Sequence, residues 1–443
     1  MSKSRVQAST EANRNGVPTT SEVFSDGTAI ELVSSTSQRM TPKLLLWKKT
    51  GATTAAQVKY RGRIYESPEL SSDFYRAIRL PAGCSDYRSV RALFKEMVST
   101  FDQHLQLSNG DSKLLTSFAI STWLADRLPV APNVVMSGDQ RLGVEVLKLL
   151  SCLCRRPLLL TELTPGGFRS LPLQMSLTLL IHQQSLRPSM LRLFHASTYR
   201  GLYLAGNSGS LINIYGPRAV YCRSDCAKEL LGECTIHIPL AQSWPQWASL
   251  DDTVQSRIAN EFQPRLLSFR LANLWNMHEP RVAGERFTAA TRELAFALGA
   301  CLSEDPELAL ETVQLLSKQD EDARMEKQCD VSCVVIEILW GLVHHGQQKN
   351  ITVDELTKMV NTLLQSRGGY LNYSAEEIGW KLRGMGVPRH TSITGRQVVL
   401  DRETRQTIHD LARACELSCV GPNTGCSDCG VTQAIVSKPL MKV

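Results

Sequence analysis

Between Asn133 and Ile238, short apolar runs alternate with stretches whose apolar residues recur at helical spacing. Asn133-Val-Val-Met136, Pro157-Leu-Leu-Leu160, Leu177-Thr-Leu-Leu-Ile181, Ala219-Val-Tyr-Cys222 and Thr235-Ile-His-Ile238 predict buried strands. Residues 144–154 predict a helix between the first two, and a long helix is expected over about 254–274. Residues 199–204 and 211–215 flank Asn207-Ser-Gly209, a hairpin signal. The alternation predicts an α/β domain with a largely parallel sheet. Ahead of it, Phe94, Met97, Val98 and Phe101, then Leu114, Leu115, Phe118, Ala119 and Trp123, predict two helices. Residues 58–65 alternate and predict a small strand pair. Residues 1–40 are rich in Ser, Thr, Asn and Gly and lack apolar periodicity, so a disordered tail is expected there.

The last hundred residues carry clear helix punctuation. Val331, Val334, Val335, Ile338, Leu339 and Leu342 form an apolar stripe. Thr352-Val-Asp-Glu355 and Ser374-Ala-Glu-Glu377 are capping boxes, in which hydroxyl and carboxylate satisfy orphan backbone donors. Residues 390–400 predict a two-stranded turn around Gly395, and a further helix starts near Asp401. Three helices, a hairpin and another helix make a winged helix-turn-helix pattern. The expected organisation is a tail (1–40), a small mixed strand and helical region (41–128), an ATPase-like domain (129–280), a helical linker (281–328), a winged helix (329–416) and a cysteine-containing tail (417–443).

With 443 residues, 43% of them hydrophobic, the chain can bury two or three cores. Its 49 Lys+Arg against 43 Asp+Glu leave a formal charge of +6, which permits a nucleic-acid partner without requiring one. No apolar run approaches the roughly 18 residues needed to span a bilayer, so no membrane is expected. The N-terminus lacks an apolar signal region. Thirteen cysteines, an odd number in a large chain, suggest free thiols in a reducing, cytoplasmic compartment.

Gly138-Asp-Gln-Arg-Leu-Gly143 lies between a predicted strand and a predicted helix and keeps the G-x4-G frame of a phosphate loop. A working loop continues with Lys, for the phosphates, and Ser or Thr, for magnesium. Here those places hold Val144 and Glu145. Trp123-Leu-Ala-Asp-Arg-Leu-Pro-Val-Ala-Pro132, this loop, and Leu149-Leu-Ser-Cys-Leu-Cys-Arg-Arg-Pro157 together resemble the ATPase core of bacterial phage- and plasmid-type primase-helicases, an AAA+/superfamily 3-like P-loop group. The resemblance covers about residues 90–275, and a C-terminal winged helix is a common companion. It implies a strand ending in Asp-Glu, where this chain has His182-Gln183, and an arginine finger, where it has Glu233. Every charged participant in phosphoryl transfer is therefore replaced. No catalytic residue is expected, and neither is bound ATP with magnesium.

In the winged helix, Lys381, Arg383, Arg389, His390, Arg396 and Arg402 would line one DNA-facing edge, although such charges also form ordinary solvated faces. Trp380 could rest on a sugar-phosphate edge, although a half-buried packing role is the commoner one for such a residue. Cys415, Cys419, Cys426 and Cys429 could hold a tetrahedral zinc, or be free thiols in a flexible tail. Cys222, Cys226, Cys234 and His237 read as structural rather than metal-binding.

The function expected is that of a pseudo-ATPase, a non-catalytic relative of mobile-element replication helicases. It would bind DNA, or a replication or mobile-element protein, through its winged helix, alone or as an oligomer. The alternatives are a divergent active DNA-dependent ATPase or helicase, using Arg141, Lys148 or Arg155 as a displaced cation, and a winged-helix transcriptional regulator.

Overall fold

The structure, a computed structural model, describes residues 16–35, 38–206, 209–223, 227, 230, 234–241, 250–277, 287–345, 348–369, 371–392, 395–415 and 417. The chain divides into two compact units, Met1–Gln319 and Asp320–Val443.

The centre of the first unit is a five-stranded sheet. Its strands are β1 (Asn133–Gly138), β2 (Pro157–Thr161), β3 (Thr178–His182), β4 (Arg218–Cys222) and β5 (Thr235–Leu240), in the order β5-β1-β4-β3-β2. All four pairings are parallel. Strands of such a sheet are covered on both faces and read as near-continuous apolar runs. Every residue of β4 is buried, as are the first five of β1. The parallel register brings the ends of the strands into rows. Asn133, Arg218 and Thr235 share the amino edge, while Gly138, His182, Tyr221 and Leu240 share the carboxyl edge. The outer side of β5 is closed by one side chain. Gln319 Oε1 accepts from the His237 amide (3.1 Å), and Gln319 Nε2 donates to the Thr235 carbonyl (2.5 Å). This blunts an exposed strand edge.

Helix Gln140–Leu153 follows β1. Leu142, Val146, Leu147, Leu149, Leu150 and Leu153 form its buried face, and it packs against helix Asp252–Asn273. Helix Asn109–Leu124 has an unbroken buried stretch from Leu114 to Leu124, as expected of a helix enclosed on all sides.

Two expectations are overturned here. Residues 16–35 and 38–40 are not a disordered tail. Ser21–Val23, Ala29–Ser35, Gln38–Lys48 and Gly51–Ala55 form a four-stranded antiparallel sheet, with Ala29, Ile30, Leu32 and Val33 buried. Gly16–Pro18 joins the predicted 58–65 pair as a third strand. Nor do residues 287–319 act as a linker. Helices Ala289–Cys301 and Pro306–Gln314 place Leu294, Leu298, Leu308 and Val313 in the main core of the first unit.

The second unit contains helices Val331–His345, Val353–Ser366, Ala375–Gly384 and Arg402–Ala414. A small antiparallel sheet runs in the order Asn350–Thr352, Gly395–Val399, His390–Ser392. Both capping boxes form, with each hydroxyl accepting from the N3 amide and each glutamate accepting from the cap amide. Val334, Leu339, Leu356, Val360, Ile378, Leu382, Val398 and Ile408 make its core. Arg367 grips Glu337 with two hydrogen bonds, 2.8 and 2.7 Å long.

Candidate nucleotide and nucleic-acid sites

Ligands of open parallel sheets bind outside the carboxyl ends of the strands, so the turn after β1 is the natural place to look for a nucleotide. Gly138 adopts φ +115° there, a conformation that favours glycine, and a Cβ on it would collide with the Leu240 carbonyl oxygen. The Asp139 amide donates to that same carbonyl (3.1 Å). Asp139 then caps the helix, its Oδ1 accepting from the Leu142 amide (2.8 Å) while its carbonyl accepts from the Gly143 amide (3.0 Å). Gly143 therefore lies in the first helical turn, not at the end of a wide loop.

The reason for a glycine at 143 is visible in its neighbour. A Cβ at that position would collide with the Tyr221 ring. Tyr221 donates its hydroxyl to the Gly138 carbonyl (2.8 Å), and its ring stacks on His182 with centroids 5.1 Å apart and planes 10° from parallel. Burial, with Asp139 close by, raises the Tyr221 hydroxyl above its ordinary range, so it stays a neutral donor. The glycine pair thus accommodates a carbonyl and an aromatic ring, and the positive end of the helix carries the protein's own carboxylate.

Of the other predicted positions, Glu145 and Gln183 have structural partners, while Arg141, offered as a displaced cation, is exposed in the first helical turn with no ion pair among the described residues. Val144 lies in the helix just beyond Gly143. Glu145 Oε1 accepts from Lys148 Nζ (2.8 Å), and Oε2 accepts from the Leu250 amide (3.1 Å). Lys148 is thereby held by an acid. Gln183 is buried, accepting from the Leu163 amide (3.1 Å) and donating to the Ser185 carbonyl (2.9 Å). Arg155, considered as a displaced cation, is buried elsewhere. Glu233 lies outside the described residues.

Sequence reasoning missed a heavily charged, buried site in the first unit. Glu31 is buried among three guanidiniums. Arg155 Nη2 donates to both its oxygens (3.0 Å each), Arg156 Nη2 to Oε2 (2.9 Å) and Arg270 Nε to Oε1 (2.7 Å); the Ser21 hydroxyl adds a fourth donor (2.6 Å). Arg270 also grips Asp126 through both terminal nitrogens (2.6 and 2.5 Å). Burial pushes the Glu31 carboxyl up, but Arg155, Arg270 and Arg156 outweigh it and hold the group at about 2. Arg156, buried beside Arg155, is pushed down to about 9. The cluster ties the amino-terminal sheet to the end of helix 140–153 and to helix 252–273. One signal was present in the sequence: Arg155-Arg156 interrupts a run from Leu149 to Leu160 that is apolar apart from Ser151.

In the second unit, Lys381 and Arg383 are exposed near the end of helix 375–384. Arg396 is exposed beside the hairpin turn, and Arg402 opens the last helix. Among the described residues none of these four is ion-paired. Arg389 is half-buried, with Nη1 2.9 Å from where a Cβ on Gly379 would lie. His390 is exposed and pairs with Gln397 in the hairpin. The carboxyl of Asp401 is lowered, mainly by the Thr404 amide and hydroxyl and slightly by nearby His390. Arg405 Nε donates to the Leu400 carbonyl (2.9 Å). Trp380 is 71% exposed, which sets aside the half-buried packing role. It lines a surface hollow of about 390 Å³ with Tyr373, Glu376 and Lys381.

Of the cysteines, Cys415 is half-buried, while Cys419, Cys426 and Cys429 lie outside the described residues, as does Cys226. Cys222 and Cys234 are buried. Among the described residues no group of three His, Cys, Asp or Glu side chains could hold a metal ion, and no helix is long and apolar enough to cross a membrane.

No family model and no curated protein matches this chain. Solved structures with similarity include the apo A form of the NrS-1 C-terminal region, at 12% identity over 84% of this chain and 97% of that one, with a TM-score of 0.34. Cdc6p from Pyrobaculum aerophilum matches at 12% identity over 73% of this chain and 99% of its own, with a TM-score of 0.21. Drosophila ORC bound to DNA matches at 11% identity over 78% and 96%, with a TM-score of 0.17. These superpositions are loose and establish neither a family nor an activity for this chain.

Proposed function

We propose that this chain binds duplex DNA through its second unit, while its first unit is a P-loop-like scaffold that does not hydrolyse ATP. The observation that carries the reading is the exposed set Trp380, Lys381, Arg383, Arg396 and Arg402, four cations without acid partners among the described residues. They sit on an order of elements that matches a winged helix: helix, strand, two helices, a two-stranded hairpin, then a final helix. Helix 375–384 would enter the major groove and the hairpin at Arg396 would reach the adjacent backbone. Glu376 and Glu377 lie at the start of that helix, and Glu377 is held in the capping box. The contacts therefore come from its carboxyl half.

The absence of turnover is supported by the turn after β1. Asp139, Tyr221 and the Leu240 carbonyl stand where a phosphate loop would need free amides and open space. An active helicase would also need a cation there; Lys148 is engaged by Glu145 and Arg155 by Glu31, which leaves exposed Arg141 alone in the first helical turn. The run from Trp123 to Pro157 gives the proposal its setting, replication in bacterial mobile elements.

Fluorescence anisotropy of the full chain on duplex DNA, measured across salt concentrations, tests the reading. Four phosphate contacts predict a slope of log K against log salt of about −3.6. Changing Lys381, Arg383, Arg396 or Arg402 singly to Ala should flatten that slope by about 1. A quadruple variant that binds like the parent chain overturns it.

A further inference from the structure

Behind the amino edge of the central sheet, opposite the closed turn, lies a cavity of about 270 Å³. Asn133, Phe194, Thr198, Tyr199 and Arg218 line it, together with exposed His195. Arg218 is 5% exposed. Its terminal nitrogens donate to the Ser197 hydroxyl and to the Thr198 hydroxyl (2.8 Å). Both hydroxyls direct their own protons to the Phe194 carbonyl (3.0 and 3.3 Å). Asn133 Nδ2 also donates to the Thr198 oxygen (3.0 Å), and the Phe194 ring faces the guanidinium at 5.0 Å. A rigid neutral lattice thus holds the cation in place.

Two things are missing from that lattice. Among the described residues no carboxylate reaches Arg218, unlike Arg155, Arg156 and Arg270. Burial accordingly pushes its guanidinium down to about 9. In addition, Asn133 Oδ1 and the Tyr199 hydroxyl are buried without a hydrogen-bond partner. Buried polar groups are rarely left unsatisfied, and a buried cation calls for an anion. Water could satisfy the acceptor but would not neutralise the charge.

We propose that this cavity binds a small oxyanion bearing a hydroxyl donor, of which hydrogen phosphate is the simplest. Arg218 and the Tyr199 hydroxyl would donate to its oxygens, and Asn133 Oδ1 would accept a hydrogen bond from its hydroxyl. The volume lies just below the usual range for small-molecule pockets, so the free anion fits better than a nucleotide. The proposal is independent of the DNA-binding reading, since every residue in it belongs to the first unit.

Calorimetric titration of the full chain with inorganic phosphate at fixed ionic strength tests it, with sulfate and AMP as comparison arms. The expected result is saturable 1:1 phosphate binding, weaker for sulfate, which lacks the proton, and weaker for AMP, which is too large. Arg218→Met should lose about 10- to 100-fold in affinity, the range of a hydrogen bond to a charged group. Tyr199→Phe, a milder change, should weaken phosphate while leaving the melting temperature without ligand near that of the parent chain. No saturable phosphate heat in the parent chain overturns the proposal. So does phosphate binding that both variants retain, or AMP binding tighter than phosphate.

Discussion

Glu31→Gln removes the only carboxylate shared by Arg155, Arg156 and Arg270 among the described residues, while keeping the side chain's size. Its magnitude can be approached in two ways. Glu31 is held at about 2 against an ordinary 4.5, a difference on the order of 2.5 units, or about 3 kcal/mol of preferential binding of the ionised form. Breaking a buried pair from one side costs about 3–5 kcal/mol by general experience. Both point to a loss of about 3 kcal/mol or more at neutral pH, which is a fall of roughly 5 °C in melting temperature for a unit the length of Met1–Gln319. The pH dependence has a definite sign. Because the folded carboxyl titrates below the unfolded one, its stabilisation is complete above about 4.5 and disappears as pH falls through about 2. Differential scanning calorimetry of the parent chain and Glu31→Gln from pH 7 to pH 2.5 should show a gap that narrows below pH 4.5. A variant within about 0.5 kcal/mol of the parent at pH 7, or a gap that ignores pH, refutes the assignment of Glu31 as the anion of the cluster.

Two further outcomes follow from particular contacts. Gly143→Ala drives a methyl into the Tyr221 ring and should cost about 1–3 kcal/mol in urea unfolding, whereas the same change made in a Tyr221→Ala background should cost much less; purely additive effects would show that the ring is not what fixes the glycine. Trp380→Ala should change stability by less than about 0.5 kcal/mol, since the side chain is 71% exposed, yet weaken DNA binding measurably in the anisotropy assay.

All five strands of the central sheet could be read from the sequence because each is a compact apolar run between turn signals, and a strand buried on both faces needs no alternation to be recognised. The two capping boxes could be read because their partners lie three residues apart. The amino-terminal sheet could not. Ala29-Ile-Glu-Leu-Val33 is buried at all five positions, so its pattern does not alternate, and Glu31 reads as a surface charge that breaks the apolar run. Its partners lie 124, 125 and 239 residues away, beyond the reach of any local window. Residues 138–145 were recognisable as a strand-to-helix junction with glycines. What the glycines accommodate, Leu240 on one side and Tyr221 on the other, depends on strands 80 to 100 residues further along. Arg218 was overlooked for the same reason: nothing near it in the sequence shows that the four other buried arginines have acids and that it has none among the described residues.

The closed turn is tested most directly by calorimetric titration of the full chain with ATP in the presence of magnesium. With the Asp139 carboxylate at the helix terminus and the Tyr221 ring over Gly143, no saturable heat is expected up to millimolar nucleotide. Magnesium-dependent binding in the micromolar range, weakened by a change at Gly138 or Gly143, would contradict the account at its centre.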